Sequence, residues 1–91
     1  MVNSAPRTMT IANKRGLHAR AAAKFVRVVA QYDAAVKVAH GGQEVSGLSI
    51  MGLMMLSAAK GARIEISATG REAPEALDAL AKLIESRFGE E

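Results

Sequence analysis

The sequence predicts an α+β fold: a two-layer open-faced sandwich, with a four-stranded antiparallel sheet and helices packed on one face. Three observations lead there. Four short segments read as strands from alternation of polar and apolar residues and from a hairpin signal. Longer stretches repeat apolar residues with the period of a helix. A length of 91 residues admits one domain, 1–91, and not two. In chain order the elements run βαββαβα, an arrangement of the split βαβ kind.

Residues 8–12, Thr-Met-Thr-Ile-Ala, alternate and form the first strand, with Met9 and Ile11 inward. Residues 13–17 are a loop whose permissive point is Gly16. Residues 19–31 then carry an apolar stripe of Ala22, Phe25, Val26 and Val29, extended by Tyr32, with Lys24, Arg27 and Gln31 on the other side. The valines lower intrinsic helix propensity, so packing must hold this helix. Residues 34–39 form the second strand, with Val36 and Val38 on one face. His40-Gly41-Gly42-Gln43 signals a hairpin, because Gly-Gly admits the positive φ values of a tight turn. The third strand covers about 43–46. Residues 49–57 are apolar and methionine-rich, and their pattern fits either a strand or a short helix. We read a short helix capped by Ser49. Lys60-Gly61 is a turn, and residues 63–68 alternate as the fourth strand. After Gly70, Pro74 suits the first turn of a helix, where its missing N–H costs nothing. Leu77, Leu80, Ala81, Ile84 and Phe88 then make one helical stripe opposite Glu75, Asp78, Lys82 and Glu85. Glu75 and Asp78 lie near the favourable end of the helix dipole.

Composition narrows the chemistry. Hydrophobic residues make up 49% of the chain, yet only Phe25, Tyr32 and Phe88 are aromatic. An aliphatic core in so small a domain leaves little room for an internal ligand cavity, so chemistry belongs on the surface. Without cysteine there is no disulfide and no sulfur ligation of a metal. Two histidines without a paired acid make no metal site, and no cofactor is implied. Residues 1–8 lack the pattern of a signal peptide, and the apolar run near residue 50 falls far short of the ~20 residues that span a bilayer. A cytoplasmic location and no membrane contact are the expectation.

Net charge is +3, unevenly placed. Seven Lys or Arg and one acid precede residue 41, while six acids and three bases follow residue 70. The basic half would attract a phosphate or an acidic protein face. Nucleic acid is the weaker fit, because no strand offers an aromatic for base stacking and no block of Arg or Lys is present. A small basic RNA-binding α+β domain remains the remote alternative.

The segment Gly16-Leu17-His18-Ala19-Arg20 sets a histidine where a helix begins. Helix starts expose backbone N–H groups and partial positive charge, which stabilise a bound or attached phosphate. A neutral imidazole nitrogen is a competent nucleophile, and a nearby arginine offers planar donors to phosphoryl oxygens. Read alone, the residues favour the plainer alternative, in which His18 simply ends a loop and Arg20 is a solvated side chain. His40 reads as a hairpin surface residue.

Gly16-Leu17-His18-Ala19-Arg20 resembles the active-site motif of the histidine-containing phosphocarrier (HPr) family of the bacterial phosphotransferase system. Ser49-Ile50-Met51-Gly52 resembles that family's regulatory-serine segment, at the family's separation. The likeness runs over about residues 6–89 and implies an HPr-like fold. It implies that His18 is phosphorylated through Nδ1, that Arg20 assists transfer, and that Ser49 is a regulatory phosphorylation site. It implies enzyme I, charged from phosphoenolpyruvate, as donor, enzyme IIA-type proteins as acceptors, and an HPr kinase/phosphorylase acting on Ser49. The chain would then be a phosphoryl-transfer intermediate rather than a free-standing enzyme, working as a monomer. The family motif usually continues with proline, where this chain has Ala21. That departure points toward the nitrogen-regulatory branch as the alternative to sugar uptake, a purely regulatory role. Leu17, Ala21, Ile50, Met51, Leu53 and Met54 are expected to form the docking surface, methionine being a side chain that adapts to differently shaped partners.

Overall fold

The computed structural model describes residues 3–90; Met1, Val2 and Glu91, which the expected 1–91 domain includes, lie outside the described residues. Four strands, β1 (Asn3–Thr10), β2 (Ala35–His40), β3 (Gln43–Ser46) and β4 (Arg63–Thr69), form one antiparallel sheet in the spatial order β1-β4-β2-β3. Helices α1 (Ala19–Val29), α2 (Ile50–Met55) and α3 (Ala73–Glu85) cover one face of it. This is the α+β sandwich in βαββαβα order that the alternation and helical stripes imply.

Alternation decides which face is buried. Val36 and Val38 of β2 and Ile64, Ile66 and Ala68 of β4 point to the core, and their neighbours point to solvent. Phe25 and Val29 of α1 and Leu77, Leu80 and Ile84 of α3 close over them. The hairpin between β2 and β3 has two loop residues, Gly41 and Gly42, at φ of 59° and 82°. Positive φ at both positions is the turn whose twist matches that of the flanking strands.

β2 and β4 differ from the sequence reading by no more than one residue at either end, and three further boundaries differ by more. The first strand begins at Asn3 and ends at Thr10, not at residue 12; Ile11 is buried beyond the strand and bonds to the turn at 61–62 through its own N–H and C=O. The pairing of β1 with β4 shifts register between Ser4 and Arg7, where Pro6 has no N–H to contribute. Helix α1 ends at Val29, because Gln31 and Tyr32 donate to carbonyls three residues back and tighten the exit.

The third difference matters most. Phe88 does not continue the stripe of α3. The helix ends at Glu85, and Arg87, Phe88 and Gly89 follow with φ of 59°, 57° and 72°. Two non-glycine residues in the left-handed region cost free energy, so tertiary contacts must hold them. They do: the Phe88 side chain is fully buried and its carbonyl accepts from Lys24 Nζ of α1. A core phenylalanine is thus delivered from a reversed turn, and the residues after it are redirected toward the start of α1.

Replacing Phe88 with alanine is expected to cost about 3 kcal/mol or more of unfolding free energy, the range for large core truncations. Urea denaturation measures it, and a loss below about 1 kcal/mol would mean that the turn does not anchor the domain.

Candidate functional site

The loop before α1 is set by a backbone contact. Gly16 has φ of 68°, and a Cβ there would lie 2.3 Å from the carbonyl oxygen of Ala58 and 2.9 Å from Cα of Ala59. Only glycine fits both the conformation and the gap. Beside it, the Leu17 N–H donates to the same Ala58 carbonyl at 3.0 Å. The Gly16 carbonyl accepts from the His18 N–H at 2.9 Å and from Asn13 Nδ2 at 2.8 Å. Loop and chain after α2 are therefore one rigid unit, and His18 leaves it in an extended conformation as the N-cap of α1.

The His18 ring caps the helix itself. Its Nδ1 accepts from the Arg20 backbone N–H at 3.3 Å, and its carbonyl accepts from Ala22 N–H at 2.8 Å. An accepting Nδ1 carries a lone pair, not a proton, which leaves the proton to Nε2. On that side lies a carboxylate, with Nε2 in contact with Oε2 of Glu90. The other oxygen, Oε1, accepts from Asn13 Nδ2 at 3.1 Å. Hydrogen bonds from Asn13 and then from His18, with the charge of Arg15 nearby, hold the Glu90 carboxyl below the usual carboxylate range.

Asn13 is fully buried and its orientation is fixed. Nδ2 serves two acceptors, so a flipped amide would set oxygen against both. Its Oδ1 has no hydrogen-bond partner. An unsatisfied buried acceptor costs about 1–3 kcal/mol, which the two bonds of Nδ2 offset.

Around the ring the surface is basic. Lys14, Arg15, Arg20 and Lys24 line a cleft of about 380 Å³ with Gly89 and Glu90. Arg20 is exposed, and its backbone N–H bonds to the ring. Ala21 is the third residue of α1 and buried, and the helix forms normally around it. A proline there would forfeit only an N–H that has no partner within the helix.

The second group lies at α2. Ser49 is its N-cap, and Oγ accepts from the Gly52 N–H at 2.9 Å. A Cβ on Gly52 would come within 2.9 Å of that Oγ and 3.0 Å of Cβ of Val45, so the small residue permits the cap. Leu48, Ile50, Met51, Met54 and Met55 are the exposed large hydrophobic residues among those described, with Met51 69% and Met55 67% accessible. All five lie within eight consecutive residues.

The expected docking list needs correction. Leu17, Ala21 and Leu53 are buried in the core and present no side chain to a partner. Leu17 is drawn inward beside its backbone bond to Ala58, Ala21 lies on the buried stripe of α1 with Ala22 and Phe25, and Leu53 is the buried residue of α2. Ile50, Met51 and Met54 are exposed, and Leu48 and Met55 join them, which the sequence reading missed. His40 is half-buried, with Nδ1 3.0 Å from the Arg63 carbonyl.

Asn13 and Glu90 were also missed. Neither lies on a periodic element, and Glu90 reaches His18 only because the chain reverses after α3. The sole local hint is Gly89. Among the described residues, no group of three or more His, Asp or Glu could hold a metal ion, and no helix is long and apolar enough to cross a membrane.

Residues 5–86 match the family described as PTS HPr component phosphorylation site. Phosphocarrier protein HPr of Pseudomonas aeruginosa is 49% identical over 83 residues, covering 90% of this chain and 92% of that protein. Phosphocarrier protein HPr of Cupriavidus necator is 45% identical over 84 residues, covering 92% and 94%. The crystal structure of HPr-C-His from Thermoanaerobacter tengcongensis superposes with a TM-score of 0.91 at 42% identity, covering 97% of this chain and 99% of that one.

Gly16→Ala combines a disfavoured φ with a backbone overlap, so it is expected to lose more than about 2 kcal/mol of stability. Thermal unfolding followed by circular dichroism reads the change. An alanine variant as stable as wild type would show that the loop does not need its contact with Ala58.

Proposed function

Since this chain belongs to the PTS-HPr family of phosphocarrier proteins, we propose that it accepts a phosphoryl group on Nδ1 of His18 and hands it to another protein. One observation carries this reading: the Nδ1 lone pair accepts from the first turn of α1, next to a basic cleft that Arg20 and the ring's partner Glu90 help to line. As the Nδ1–P bond forms, the donor's bond to phosphorus breaks and its electron pair leaves with the donor atom. The phosphoryl oxygens then meet the N–H groups of the first turn of α1 and the positive end of its dipole. The Arg20 guanidinium, exposed at the same cleft, adds planar donors to those oxygens.

In this reading enzyme I is the donor, charged from phosphoenolpyruvate, and enzyme IIA-type proteins are the acceptors, with residues 1–91 acting as one monomeric carrier domain in the cytoplasm. A carrier role is favoured over a purely regulatory one of the nitrogen branch, because the relatives at 49% and 45% identity are themselves named phosphocarrier protein HPr. Partners dock on the apolar surface of Leu48, Ile50, Met51, Met54 and Met55. That surface neighbours the histidine loop, since α1 packs on α2 and Leu17 bonds to Ala58 just beyond it.

Ser49 is the regulatory site in the same proposal. A phosphate on its Oγ replaces the acceptor of the Gly52 N–H with other oxygens, so the fold tolerates it. About two negative charges would then sit among exposed methionines, where an apolar partner must desolvate them. HPr kinase/phosphorylase is the enzyme class that this role requires.

Two experiments test these assignments. Incubation with phosphoenolpyruvate and enzyme I should give an acid-labile, base-stable label that H18A abolishes. R20A, which keeps the backbone N–H at Nδ1, should slow transfer at least tenfold with a melting temperature near that of wild type. Full labelling of H18A would sink the assignment. Separately, S49D should fold normally but show a KM for enzyme I raised tenfold or more, since each ~1.4 kcal/mol of lost binding is a factor of ten. Unchanged KM in S49D reduces Ser49 to a helix cap.

A further inference from the structure

The ring of His18 is held from both sides, and only one side belongs to α1. The second partner arrives from 72 residues further along the chain. Everything about that partner is built rather than incidental. Phe88 is an anchor with no exposure, its carbonyl is tied to Lys24, and Arg87, Phe88 and Gly89 all adopt left-handed conformations that reverse the chain. The reversal ends at Glu90, whose two carboxylate oxygens are used separately: Oε1 on Asn13 Nδ2, Oε2 on His18 Nε2. Asn13 cannot turn away, because the same Nδ2 also donates to the Gly16 carbonyl. The contact is sheltered, with the two side chains only 14% and 18% accessible. A segment that merely packed would not need a buried asparagine to aim its carboxylate.

We infer that Glu90 is a positioning residue for phosphoryl transfer: its carboxylate holds the His18 proton on Nε2 and the ring in one rotamer, leaving Nδ1 as the nucleophile. The inference rests on His18 being the phosphoryl acceptor. A histidine's tautomer is set by the hydrogen bond that its second nitrogen makes. Here the Arg20 N–H requires a lone pair on Nδ1, and the Glu90 carboxylate requires a proton on Nε2, so both partners select the same form. Charge follows. When Nδ1 forms its bond to phosphorus while Nε2 keeps its proton, the ring becomes cationic, and the carboxylate at Nε2 balances it. Onward transfer reverses this: the Nδ1–P bond breaks, its electron pair returns to Nδ1, and the ring is neutral again. Glu90 touches neither the phosphoryl group nor the partner's reacting atom, so its effect passes through the imidazole.

The test compares wild type with E90A and E90Q, the latter losing the charge and keeping one oxygen, which accepts from Nε2 when the NH2 is turned toward Asn13. In 15N-edited NMR of the unphosphorylated protein, wild-type His18 should show an unprotonated Nδ1 and a visible Nε2 proton, slowed in exchange. That resonance should persist in E90Q and vanish into exchange with water in E90A. In transfer assays with enzyme I, E90A should lower kcat about tenfold, the scale of one charge-assisted hydrogen bond, with KM little changed. E90Q should fall between. Melting temperatures of both variants identify any general loss of fold, and if E90A fails to fold the E90Q comparison carries the test alone. Wild-type kcat in E90Q and E90A, an Nε2 proton that survives in E90A, or a change confined to KM overturns the inference. If wild type takes no phosphoryl group while the Nε2 signature still follows Glu90, the carrier reading fails and the ring-holding role stands.

Discussion

The approach of Gly16 to the Ala58 carbonyl is the constraint on which the site depends. A backbone-to-backbone contact is stiff in a way that side-chain packing is not, and this one joins the loop before α1 to the chain after α2. It sets where Leu17 enters the core and where the Gly16 carbonyl points. That carbonyl then orients both His18, through its N–H, and Asn13, through Nδ2. The position of the imidazole, the direction of its Nδ1 and the aim of Glu90 all descend from it. A side chain on a loop would normally lose precision to loop motion; here the loop is braced by the chain on either side.

Electrostatics at the site work by opposition. Four basic side chains line the cleft, which favours an approaching dianionic phosphoryl group, yet a carboxylate already stands at the ring. The arrangement suits a group that must be taken up and given away. A site with positive charge alone would bind a phosphate well and hold it. On the proposed carrier reading, a carboxylate beside the ring balances the charge that the imidazole would gain and lose, while the basic side chains meet the oxygens.

Much of this was legible in the sequence, for a physical reason that differs by element. Strands β2 and β4 follow from period-two alternation, and the Gly41-Gly42 turn from the φ values that only such residues accept cheaply. The caps at His18 and Ser49 are local too, since each side chain bonds within three residues of itself. What escaped was determined by distant contacts. Phe88 fits the periodicity of α3 and is buried, so pattern alone cannot reveal that the helix stops three residues earlier. Glu90 looks like one more terminal acid until the reversed turn brings it across. Leu17, Ala21 and Leu53 are apolar residues beside a functional motif, and sequence distance does not say which way they face.

One feature of β1 bears on how the molecule behaves in company. The strand lies at the margin of the sheet, and so does β3 at the other side. Unpaired strand margins are templates onto which other chains can add, and crowded conditions punish them. Here Pro6 removes a donor from one margin, the register shift beside it breaks the straight run of bonds, and Arg7 adds charge. The opposite margin is only four residues long and carries an exposed Glu44. Both rims are thereby poor templates for strand addition, so the apolar surface of α2 and its approach, rather than the sheet margins, is where other chains are offered a contact.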